Sequence, residues 1–174
     1  MNSSQIAVSL AASLLVASAF AQSGPTDPQI AGIVVTANSI DIDAGKLAKS
    51  RTKNKEVSSF ARQMITDHTA VNKQAGALAK KLHVKPADSD TSKSLKAGAA
   101  ENMKNLKGLK GATFDKAYVD HEVVYHQAVL DAIDKVLIPN AKNAELKDLI
   151  VKVRPAIAAH LDHAKMIQSD LAKK

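Results

Sequence analysis

The sequence predicts an all-α protein, a four-helix bundle with one long crossover. Three observations carry that expectation. Four long segments repeat apolar residues at steps of three and four, the period of a helix that buries one face. The composition is rich in alanine, lysine and leucine, with no Trp or Cys, three Phe and two Tyr, which favours helix over strand. Short turns separate the first segment from the second and the third from the fourth, while a long polar stretch divides the two pairs. Short turns make antiparallel neighbours, and the long stretch can run the length of the bundle.

Ahead of the first helix, Ile6 to Phe20 is an apolar run and Ala19-Phe20-Ala21 has the small-x-small form of a cleavage site. The run is short for a membrane span, so residues 1–21 read as a secretory signal peptide cut after Ala21, with a periplasmic destination. Residues 22–27 form a polar linker. The first helix is expected from Pro28 to Ser50, with Asp27 as its cap and Pro28 at its first position. Its apolar stripe runs Ile30, Ile33, Val34, Ala37, Ile40, Ala44 and Leu47, with Asp41 at the edge. The second is expected from Glu56 to His83, with the register Val57, Ala61, Met64, His68, Val71, Ala75, Leu78, Leu82. His68 thus takes a core slot. Lys85-Pro86 stops that helix, because the residue before proline is driven out of helical geometry.

The crossover holds a short helix over Ser92–Lys107, carrying Leu95, Met103 and Leu106. The third long helix is expected from Thr113, as cap, to about Ile138. One line of its residues is Phe114, Tyr118, His121, Tyr125, Ala128 and Ala132; a second is Val119, Glu122, His126, Val129 and Ile133. His121 lies on the first line, and Glu122 and His126 are neighbours on the second. The fourth helix spans Ala144–Ala172 with the register Leu146, Ile150, Val153, Ile157, His160, Ala164, Ile167, Leu171. His160 takes a core slot, His163 follows one turn on, and Pro155 should kink the helix.

If the crossover spans the bundle, the second and third long helices start at the same end. A rise of 1.5 Å per residue then puts Asp41, His68, His121, Glu122, His126, His160 and His163 in one layer, about 12–20 Å from that end. The opposite topology would spread them over about 13–28 Å. Imidazoles with one or two carboxylates suit a transition metal such as Zn, Cu, Fe or Ni, and the spacing does not choose among them. Three Asp-His pairs, at Asp67, Asp120 and Asp162, offer acceptors that can orient a histidine on a neighbouring helix. The alternative is a buried His–Asp–Tyr hydrogen-bond network that serves only the fold of a contact-acting envelope or stress protein. Lack of cysteine excludes disulfides and thiolate zinc sites. The net charge of +7 is carried by scattered lysines without an aromatic ladder. It suggests a solvated surface with some attraction to an anionic envelope component and no nucleic-acid site. No nucleophile stands beside a base, so hydrolase chemistry has no support.

The segments FARQMITDH, FDKAYVDHEVVYHQAVL and VRPAIAAHLDHAKM resemble those of an exported bacterial family, domain of unknown function 4142, often labelled putative outer membrane protein. The resemblance implies a ferritin-like bundle, in agreement with the crossover topology. Ferritin-like di-iron sites draw a carboxylate from each of two helices and Glu-x-x-His from each of the others. This chain departs from that pattern: Ile65 stands three before His68, and His160 three before His163.

Overall fold

A computed structural model describes residues 24–173. The expected signal peptide lies outside them. Four long helices, α1 (Asp27–Arg51), α2 (Lys55–Lys81), α4 (Gly111–Ala132) and α6 (Ala144–Ala172), form the bundle, and α3 (Asp90–Gly108) fills the crossover. After α4 the rod continues through a π-helical turn, Ile133–Leu137, into the short α5, Ile138–Asn140.

Local chemistry explains the ends. Thr26, not Asp27, occupies the cap position of α1, and its backbone N–H donates to Gln29 Oε1 at 2.9 Å. Asp27 instead accepts from the backbone N–H groups of Lys142 and Asn143, both at 2.9 Å, and ties the start of α1 to the turn before α6. Asn54 caps α2, Ser89 caps α3 and Asn143 caps α6, each accepting backbone N–H groups of the first turn. The third long helix starts at Gly111 rather than Thr113, with Lys110 at the cap position and no side-chain cap. Helix α2 stops before His83, whose φ of 53° is left-handed. There the Val84 N–H reaches the Ala79 carbonyl, the closing bond of a Schellman ending. Helix α6 runs unbroken through Pro155, whose ring is solvent-exposed, so the carbonyl it leaves free can meet water.

Contacts fix the directions. Asn38 on α1 meets His68 on α2, and further along α1 Gly45 lies against the earlier Ala61, so these helices are antiparallel. Asp120 on α4 pairs with Gln168 on α6, and Asp134 in the π-helical turn beyond α4 pairs with Arg154, again antiparallel. Phe60 packs on Tyr118 and His68 on His126, so α2 and α4 run the same way. Helix α3 makes this possible by lying along α1. The segment leading into it is held where the Ala87 N–H donates to the Pro28 carbonyl at 2.8 Å, and its far end where Arg51 donates to the Lys107 carbonyl at 2.7 Å. A methyl at Gly32 would stand 2.0 Å from the Ala87 carbonyl oxygen, so the crossover passes α1 only over a glycine.

The apolar core has two parts. One gathers Ala44, Phe60, Met64, Tyr118 and Ala164; the other gathers Ile30, Ile33, Ile133, Ile150 and Ile157. On every long helix the polar residues lie between these two sets in sequence. No helix among the described residues is long and apolar enough to cross a membrane.

Candidate metal centre

The layer between the two apolar parts is built by one or two residues from each long helix. Helix α1 supplies Asp41, α2 His68, α4 Glu122 and His126, and α6 His160. All five are buried, with exposures of 3%, 2%, 1%, 0% and 2% in that order. Toward the start of α4 both lines are buried, through Phe114, Tyr118 and Val119, but at the level of the layer the inner line is the one through Glu122 and His126. His121, expected in a core slot, is half-buried on the neighbouring line and stacks on Tyr125 at 5.6 Å between ring centres. On α1 the expected Ile30, Ile33 and Ala44 are buried, but in the middle of the helix Asn38 and Asp41 face inward rather than Ala37 and Ile40.

The rings of His68, His126 and His160 form a near-equilateral triangle, with centres 5.7, 5.3 and 5.5 Å apart. One nitrogen from each lies within 4.8 Å of one from the others. Asp41, Glu122 and His126 form a second such group that shares His126. Asp41 Oδ2 is 3.3 Å from His68 Nε2 and 3.9 Å from His126 Nε2.

Each ring has one nitrogen committed outward. His68 Nδ1 lies 2.6 Å from Asn38 Oδ1. The Asn38 amide nitrogen donates to the Val34 carbonyl, so its oxygen is the atom that faces the ring and His68 Nδ1 carries the proton. His126 Nδ1 donates to the Glu122 carbonyl at 3.0 Å, and His160 Nε2 donates to Asp67 Oδ2 at 2.9 Å. The opposite nitrogens, His68 Nε2, His126 Nε2 and His160 Nδ1, are buried and make no hydrogen bond. Neither do Asp41 Oδ1 or the two Glu122 oxygens, though Glu122 Oε2 lies 3.4 Å from His126 Nδ1 and the two carboxyl groups face each other. Unpaired buried polar atoms each cost on the order of 1–3 kcal/mol, so a cluster of six calls for a reason.

Electrostatics sharpen the point. Burial, then repulsion from His126 and His160, holds His68 down to about 3. Burial lowers His126 to about 4 and also lowers His160. Burial raises Asp41 to about 7, and burial together with the facing Asp41 charge raises Glu122 well above the carboxylate range. No Lys or Arg is among the buried described residues. Near neutral pH the layer therefore carries neutral imidazoles and a protonated Glu122, with Asp41 close to the midpoint of its titration.

Of the seven expected residues, five converge. His163 is half-buried, bonded to Gln63 at 3.1 Å and set against the Phe60 ring, and His121 sits beside Tyr125; neither belongs to the two groups. Asp67 orients His160 from the next helix, as the Asp-His pairs suggested, whereas Asp120 bonds Lys116 and Gln168 and Asp162 is exposed. Asn38 escaped the sequence reading; its only signal was an amide three residues before Asp41. Tyr125 donates to the Ala37 carbonyl at 3.0 Å, while the buried Tyr118 hydroxyl has no partner.

The family described as a domain of unknown function (DUF4142) matches residues 12–167, and the chain belongs to it. No curated protein matches the chain. Among solved structures it is similar to CopM in the Cu(II)-bound form, with a TM-score of 0.64 and 14% identity over 84% of this chain and 98% of that one. At that identity the likeness establishes a shared fold.

Proposed function

We propose that this member of the DUF4142 family is an exported metal-binding bundle, handling a transition metal or protecting the envelope against oxidants. One observation carries the reading: three imidazoles donate outward to fixed acceptors and leave three bare nitrogens facing one another in a buried layer. Metal-binding histidines are oriented in this way by an acceptor on the far nitrogen. His68, His126 and His160 would hold the ion, Asp41 would complete the donor set, and Glu122 would balance charge. His121 and His163 would act from outside, through Tyr125 and Gln63.

Three nitrogens and a carboxylate are borderline donors, suited to Cu or Zn ahead of Mg or Ca, with Fe also accommodated. The Cu(II) in CopM adds weight to copper through a common fold. Binding at neutral pH displaces protons from the acids, so affinity rises with pH. Export rests on the apolar run and the Ala19-Phe20-Ala21 signature. A purely structural network accounts for the outward hydrogen bonds but leaves the inward atoms without partners, and is the weaker reading.

Elemental analysis of protein purified from the exported fraction tests the reading. About one transition-metal ion per chain is expected, retained on gel filtration. Absence of metal both as purified and after dialysis against Cu, Zn and Fe salts would overturn it.

A further inference from the structure

Directly beside the cluster lies a cavity of about 120 Å³. Its walls are aliphatic, formed chiefly by Ile33, Leu95, Val129, Ile133, Ile150 and Ile157. Its polar end is made by Asn38, Asp41, His68, His126 and Tyr125. Thr91 on α3 and Ala128 on α4, both exposed, also line it, so a mouth lies at the seam of these helices.

Water is a poor occupant of the aliphatic part, because an ordered water needs two to four polar partners. Aliphatic cavities of about 150 Å³ take up benzene, so this one matches a five- or six-membered ring or a branched chain of similar size. The polar end sets the head group. Asn38 Oδ1 is engaged by His68 and the Tyr125 hydroxyl by the Ala37 carbonyl. What remains is Asp41 Oδ1, His126 Nε2 and His68 Nε2, the last with Asp41 Oδ2 at 3.3 Å; the partner nitrogens of both rings hold the ring protons, so both inward nitrogens accept and neither donates. No Lys or Arg lines the space, and an anionic head would lie against Asp41.

We propose that the cavity is a binding site for a small, uncharged, largely apolar molecule with a single hydrogen-bond donor, of the phenol class, its donor on the bare nitrogen of His68 or His126. This site goes beyond the metal reading and forms without metal.

The test uses the full chain after chelation, so that failure of metal binding does not enter. Phenol, benzene and benzoate are titrated by calorimetry. Phenol should bind saturably at one per chain, about two- to tenfold tighter than benzene, as a single added hydrogen bond implies, and benzoate should not bind. Ala132→Leu, which fills the space, should abolish phenol binding. In the parent protein, phenol should give nuclear Overhauser contacts to the methyls of Val129 and Ile133, a measurement that does not depend on the variant folding. Absence of saturable phenol binding, or contacts elsewhere on the surface, would overturn the site; equal affinity for benzene and phenol would overturn the head-group contact.

Discussion

His126 belongs to both donor groups, and its geometry follows from ordinary helix chemistry. Its Nδ1–H returns to the carbonyl of Glu122, four residues back, which turns Nε2 toward Asp41, His68 and His160. In metal-free protein that inward nitrogen contributes no hydrogen bond. Replacing the ring by a similar apolar volume should therefore leave metal-free stability unchanged or raised, as when buried polar groups give way to packed apolar ones. The expected outcome for His126→Leu is loss of stoichiometric metal binding with an equal or higher metal-free melting temperature. Asn38→Ala should weaken metal affinity about 10- to 100-fold, because an orienting acceptor is lost while the ligands remain; a competition titration with a chelator reads this directly. At this scale the histidines were legible because imidazole interrupts an otherwise apolar register. Asn38 was not, since one helical amide near an acid has no distinctive spacing. His121 was misplaced because both lines on its helix are apolar enough to be the inner one, and only packing against α2 and α6 decides between them.

Helix α1 carries two consequences of close passage. The crossover lies against Gly32, so Gly32→Ala must displace the Ala87 backbone and should destabilise by roughly 1–3 kcal/mol, the range for overpacking; urea unfolding checks it. At the end of α2 the opposite change is favourable. His83 occupies a left-handed position that glycine adopts without strain, and His83→Gly should stabilise by roughly 0.5–1 kcal/mol. The long helices were legible from periodicity, from the short turns and from Pro86, which stops α2. The start of α4 was not, because Thr113 imitates a cap while Gly111 and Lys110 give no capping signal. The π-turn at Ile133–Leu137 was hidden too: its extra residue arises where the rod adjusts ahead of Pro139, and no apolar period announces it.

Across the whole molecule, a polar layer divides two apolar halves, and its titration should govern metal-free stability. His68 and His126 titrate near 3 and 4 in the fold against about 6.5 unfolded. The stability they give is full above pH 6.5 and is lost as pH falls through 4 to 3. Asp41 is raised from 3.8 to about 7 and Glu122 is raised further. The stability they give is full below pH 3.8 and is lost as pH rises through 7. His160 and the half-buried His121 are lowered as well, so the metal-free melting temperature should fall as pH drops toward 3 and fall again as pH rises through 7. Bound metal replaces the protons and should remove the alkaline fall. The bundle and its crossover were legible in the sequence, because turn lengths set which helices are antiparallel neighbours and helical rise sets the level of the polar residues, whereas the face each one takes depends on packing.

The most direct measurement is calorimetric titration of chelated protein with Cu(II) and Zn(II) at pH 7 in buffers of different ionisation enthalpy. One ion should bind per chain with release of protons, and His126→Leu and His160→Leu should each abolish it. Binding that survives both substitutions, or that releases no protons, would mean that the interior cluster is not the metal centre.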